Sequence, residues 1–230
     1  MNKENMNKNC KEMREIVDNF ELIGKTFIPK EIFNPDAFWD IRIIKRRKEN
    51  PDLEKNSVLI TSYQVQTREE LNDLKIHILK KCIDNNAHAY INLNAKSYKK
   101  LAYQSLKAIA DIIAEERYKD IKKVIDQTIG SGSNMKLQAS WMKNWVVDVD
   151  SFDREFIDKV KELIESSMES EKRIVKYEIP TVNGVHIITS PFNCKKFSDD
   201  FRIFMPGIEV PEIKKDQPTL LFYQNPMTAF

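Results

Sequence analysis

Glycine is scarce in this chain, five residues in 230, and none of them opens a Gly-x-x-x-x-Gly-Lys-Ser/Thr phosphate loop. The closest pair, Gly130 and Gly132, is followed by Ser133 and Asn134. The three cysteines, Cys10, Cys82 and Cys194, lie far apart without CxxC or CxxH spacing, which supports neither a zinc ribbon nor a disulfide framework. They read as free thiols. No apolar run reaches membrane-spanning length, and Met1 to Glu12 is polar, Lys/Asn-rich and without the apolar core of a signal peptide. A soluble protein of a reducing compartment, the cytoplasm, is the expectation. Excess charge of one sign is also lacking: 37 basic against 35 acidic residues leave a formal net charge of +2, so any site for a polyanion must be a local patch. Low-complexity sequence is missing too, and 41% hydrophobic and 10% aromatic residues suffice for one large domain or two small lobes with a real core.

What is present is an alternation of strand and helix patterns. Phe38 to Lys48 begins as a strand and ends in the basic cluster Lys45, Arg46, Arg47 and Lys48. After a turn at Asn50-Pro51-Asp52, Ser57 to Val65 reads as a second strand, spaced for an antiparallel hairpin. Thr67-Arg68-Glu69-Glu70 has capping-box form, with helical spacing to about Cys82. Ala87 to Asn94 is a third strand, and Ser97 caps a helix carrying Leu101, Leu106, Ile109, Ile112 and Ile113. A flexible joint is expected at Gly130 to Asn134. Beyond it come the strand Trp145 to Asp150, a helix from about Phe152 to Met168, and strand-like segments Arg173 to Ile179 and Gly184 to Thr189. The tail after Lys195 reads as irregular, with Leu220 to Tyr223 as one more strand. The expected architecture is α+β: a flexible segment over 1–20, an α/β half over 21–135 and a second half over 136–230.

Chemistry concentrates in the second half. In Trp145-Val146-Val147-Asp148-Val149-Asp150, a strand projects Asp148 and Asp150 from one face and the valines from the other. Two adjacent carboxylates repel each other, a cost that a bound divalent cation offsets. The competing explanation is that Asp150, Ser151 and Asp153 cap the following helix. His186 stands on the strand after Asn183-Gly184, and 36 residues from Asp150 leave room for one helix and a return strand. A lone histidine there is commonly a satisfied core residue; beside a carboxylate pair it can also bond a phosphate or a metal. Asp216, just before the last apolar run, is either a third acid or a solvated charge in a proline-rich loop. No Ser-His-Asp or Cys-His arrangement is evident.

The order hydrophobic-Asp-x-Asp at Val146 to Asp150, a Gly-x-His turn at Asn183 to Ile188 and a late Asp before a Thr at Lys215 to Thr219 resembles the three motifs of the archaeo-eukaryotic primase superfamily, which includes primase-polymerases. The resemblance covers the second half far better than the first. It implies a two-lobed catalytic module with an RRM-like second half, acting as a metal-dependent nucleotidyltransferase that initiates or extends a strand from nucleoside triphosphates on a nucleic-acid template, with Mg²⁺ or Mn²⁺ as cofactor. It implies further that Asp148, Asp150 and Asp216 hold the metals and that His186 contacts the incoming triphosphate. Where that family often carries Ser two residues before the histidine, this chain has Gly184, which leaves a phosphate contact to Asn183, Thr181 or a backbone N–H. No zinc-binding insertion or helicase motif is evident, so priming would need partners, such as a helicase or another DNA-replication protein, or the chain has a reduced role.

Two-metal nucleotidyl transfer requires clustered carboxylates and no protein nucleophile, which suits these residue types. Lys45, Arg46, Arg47 and Lys48 are candidates for tracking a nucleic-acid backbone, or simply a solvated hairpin end. Asn92, Asn94, Lys96 and Ser97 gather at a strand end and helix start, where phosphates often bind, and His88 could reach a nucleotide or lie on the strand surface. Trp141 and Trp145 could stack on bases, with core burial the simpler reading for Trp145. Rival functions are a catalytically inactive nucleic-acid- or partner-binding protein derived from such a module, and a metal-dependent nuclease or phosphodiesterase.

Overall fold

A computed structural model describes residues 13–121, 143–168 and 174–225. The chain builds two antiparallel sheets with helices against them, a mixed α+β architecture. The expected joint at 130–134 and Trp141 lie outside the described residues.

The first sheet runs in the order β1 (Ile16–Asp18), β10 (Thr219–Gln224), β4 (His88–Ile91), β2 (Ala37–Arg46) and β3 (Ser57–Val65), with the short β5 (Lys96–Ser97) pairing the start of β2. The β2–β3 hairpin forms where the alternating sequence places it, Trp39 opposite Val65 and Arg46 opposite Ser57. Helices α1 (Phe20–Phe27) and α2 (Arg68–Asn85) supply Phe20, Ile23, Leu71, Ile78 and Cys82 to a core shared with Ile41, Ile43, Ala89 and Ile91. The start of α2 is fixed by its sequence: Thr67 Oγ1 accepts from the Glu70 N–H at 3.2 Å and the Glu70 carboxylate accepts from the Gln66 N–H at 2.7 Å. Its end is fixed by Asn86, which takes the left-handed conformation at φ 46°. Ser97 caps α3 (Tyr98–Ala114) by accepting from the Lys100 N–H.

The second sheet has the order β7 (Val175–Pro180), β8 (Val185–Thr189), β6 (Trp145–Val149) and β9 (Glu212–Lys214). Strand alternation decides what each face meets. Val147, Val149, Val185 and Ile187 pack on α4 (Arg154–Ser166) and α5 (Cys194–Phe204), through Val160, Ile164, Phe197 and Phe201. From the other face, Val146 and Ile188 enter the core of the first sheet. Asp148 and His186, on the same alternation as Val146 and Ile188, are thereby placed on the side that meets the first sheet.

Three expectations need correction. Residues 16–18, expected within a flexible segment, form β1, because β10 offers them an open edge and Val17 is buried there. The tail after Lys195 is helical through Phe204: Asn193 caps α5 by accepting from the Lys196 N–H, and Phe197 and Phe201 are fully buried one turn apart. Burying each contributes about 1.5–3 kcal/mol, which orders a helix too short to persist alone. Finally, β10 leaves the second half of the chain and inserts between β1 and β4, so residues 136–230 do not close on themselves. Among the described residues no helix is long and apolar enough to cross a membrane.

Candidate active site between the two sheets

Asp148 and His186 are directly paired residues on β6 and β8, and antiparallel pairing brings opposed side chains to one face. The His186 Nε2 lies 3.3 Å from Asp148 Oδ1, and its Nδ1 lies 2.7 Å from the hydroxyl oxygen of Thr219 on β10. An ionised carboxylate only accepts, so Nε2 donates toward Asp148, while Nδ1 shares a hydrogen bond with the Thr219 hydroxyl. The histidine is 6% exposed, and Thr219 is fully buried. The imidazole therefore spans the gap from the second sheet to the first.

On the opposite flank of β6, Glu212 pairs with Asp148 and Lys214 with Val146, one row along. The Lys214 ammonium reaches back to Asp148 Oδ2 at 2.5 Å and to Glu212 Oε2 at 3.4 Å. Burial alone would push the Asp148 carboxyl up, but hydrogen bonds and charge from His186 and Lys214 outweigh it and hold the group well below the usual carboxylate range. Burial works against the Lys214 ammonium as well, and the Asp148 and Glu212 carboxylates overcome it and raise its affinity for the proton. Both partners therefore stay charged.

Arg46 stands on the first sheet near this cluster. Its guanidinium donates to the Tyr90 hydroxyl at 3.1 Å, and its interaction with Tyr90 together with the charges of Glu49 and Asp148 outweighs its desolvation. Of the basic residues expected at a nucleic-acid backbone, Arg46, Arg47 and Lys48 are exposed at the hairpin end, Arg46 bonded to Tyr90, and Lys45 is half-buried. Behind Arg46, the buried His88 ring stacks on Tyr90 and lies 3.7 Å from Glu49, but burial and the charges of Arg46 and Lys48 bring its pKa down to about 4. It is a neutral residue under the sheet.

The remaining candidates are placed elsewhere. Asp150 is exposed past the end of β6; the helix cap is Asp153, whose carboxylate accepts from the Glu155 and Phe156 N–H groups. Asp216 meets the buried Lys96 ammonium at 3.4 Å, and its carbonyl accepts from Asn92. Asn94 and Asn144 bond each other reciprocally across the sheets, and Ser97 donates to Asp36, so these polar groups act as a clasp. Thr181 is buried in the turn before β8, where its N–H donates to the Gly184 carbonyl; Asn183 is half-exposed beside it. Trp145 lies half-buried beneath the Lys215 ammonium and edge-on to Phe192.

Sequence reasoning missed Lys214, Glu212 and Tyr90. The signal for the first two was the alternation in Glu212-Ile213-Lys214, obscured by the surrounding prolines. Among the described residues no group of three or more His, Cys, Asp or Glu side chains is assembled as a metal site. Asp148 has Glu212 paired with it across β6 and β9, two hard oxygen donors of the kind that hold Mg²⁺ when phosphates and water complete the shell, whereas Asp150 lies exposed past the strand end. No family model, curated protein or solved structure matches the chain.

Proposed function

We propose that this protein is a metal-dependent nucleotidyltransferase of primase-polymerase type, working on a nucleic-acid template with nucleoside triphosphates. The observation that carries the reading is the cross-strand Asp148–His186 pair, its imidazole fixed by Thr219. Asp148 and Asp150, with Glu212 beside them, would hold Mg²⁺ or Mn²⁺, which supplies charge stabilisation for phosphoryl transfer. His186 directs its Nε2–H at Asp148 and so orients that carboxylate; in the role the resemblance implies, the same N–H would turn from Asp148 to a phosphate oxygen. Arg46 neutralises charge on the triphosphate, and Arg47 and Lys48 carry the template backbone past the hairpin end. Asp216 supports the site from behind by neutralising Lys96. A helicase or other replication protein would deliver the template. The second sheet, with α4 and α5 on one face, would be the RRM-like half of such a module.

A second reading draws on the Asp148–Lys214 ion pair, which already neutralises the central acid: a nucleic-acid- or partner-binding protein that keeps the architecture without the chemistry. One assay separates them. Incorporation of labelled nucleotide on a primed template with Mn²⁺ is expected for the native chain, and none for Asp148→Asn; His186→Ala should lose about 10–100-fold through slackened metal binding. Salt-sensitive binding without incorporation, unaltered in Asp148→Asn, would instead support the binding module.

A further inference from the structure

The feature that the carboxylate reading leaves unexplained is Lys214. It stands on a three-residue edge strand, held by β6 alone, and its ammonium bridges the carboxylates of Asp148 and Glu212. Two carboxylates directly opposed on neighbouring strands repel, and a single ammonium between them removes that cost. The geometry is that of an ion site already filled by a tethered charge. Arg46, the other cation here, is fixed on Tyr90, whereas Lys214 carries its charge on a flexible four-carbon stem. A short edge strand also has few ladder bonds to break if that stem swings away.

We infer that Lys214 is a built-in counter-ion that holds the place of a divalent cation between Asp148 and Glu212 and is drawn off by a polyphosphate as the cation enters. The inference rests on the metal-site reading above. Its consequence is coupling: the cation binds weakly alone, because it must displace the ammonium, and more tightly once a triphosphate gives the ammonium a new partner. By reciprocity the cation tightens triphosphate binding by the same factor. The groups facing this exchange are Asp148, His186 and Glu212 on the second sheet, Arg46 and Tyr90 on the first, and Glu49 in the turn after β2.

The test is calorimetric titration of the full chain with Mn²⁺, with and without a non-hydrolysable nucleoside triphosphate. Lys214→Met should bind Mn²⁺ about tenfold or more tightly than the native chain without triphosphate, and lose most of the triphosphate-dependent gain. Lys214→Arg should keep the native weakness, and Asp148→Asn should remove binding in either background. Lys214→Gln stands in if circular dichroism finds the methionine variant unfolded. Equal or weaker Mn²⁺ binding by Lys214→Met, with Asp148→Asn still abolishing it, overturns the counter-ion role and leaves the metal site standing. Absence of saturable Mn²⁺ binding in all variants, even with triphosphate, sinks the metal-site reading and this inference with it.

Discussion

Two ionisable residues, the buried His88 and the half-buried Asp148, contribute to the acid limb of stability in separate pH windows. His88 has its pKa lowered to about 4 by burial and neighbouring cations, against about 6.5 for an ordinary histidine. Below pH 6.5 the unfolded chain takes up this proton and the folded chain does not, so stability falls as pH drops toward 4, by about 3 kcal/mol in all. Asp148 acts lower down. Its carboxyl is depressed in the fold, so the stability it contributes is fully present above the unfolded value of about 3.9 and is lost as pH falls through the folded one. Urea midpoints measured from pH 7 to 3 should therefore lose their slope between 6.5 and 4 in His88→Gln, and only below about 4 in Asp148→Asn. An unchanged profile in both would mean that neither group keeps its altered affinity. The aspartate was legible as a site residue because alternation in Val146 to Asp150 declares a strand face. The role of Lys214 was not, because it depends on which strand β9 lies beside, and three residues carry too little pattern to say.

Elements were legible where their ends carry chemistry. Thr67 and Ser97 fixed the starts of α2 and α3, while Asp153 rather than Asp150 turned out to cap α4. The prolines around α5 concealed an equally good cap at Asn193. Between elements, main chain comes into tight contact at the β6–β8 end. A Cβ on Gly184 would meet the Val149 carbonyl at 2.1 Å and the Ser151 N at 2.5 Å, both main-chain atoms that cannot turn aside. Arg14 tightens the same turn by donating to the Thr181 carbonyl at 2.6 Å and to that of Gly184. The glycine that departs from the resembling family's serine is thus dictated by contact between strand ends. Gly184→Ala should cost about 1–3 kcal/mol in urea unfolding and weaken Mn²⁺ binding by prying Asp148 from His186. A variant of native stability would show that the two strand ends part freely.

At the scale of the whole molecule, the strand order was the least legible feature, since nothing local in Thr219 to Gln224 names its neighbours. Its pattern says strand; its insertion between β1 and β4, about 130 residues from the nearer of them, follows only from the folded topology. That insertion has energetic and functional consequences together. Leu221 and Phe222 fill the core under α1 and α2, Thr219 holds the His186 ring, and Asn19 bonds the Pro180 and Leu220 carbonyls, joining β10 to β7 of the second sheet. A chain cut between residues 135 and 136 is therefore not two independent domains. The 1–135 fragment lacks the strand that pairs both β1 and β4, and the 136–230 fragment exposes that strand without a partner. Each fragment alone should give collapsed amide dispersion in NMR spectra, and mixing them should restore dispersed signals and the native tryptophan emission. Cooperative folding of 1–135 by itself would show that β10 is an addition to the first sheet and not part of what holds it.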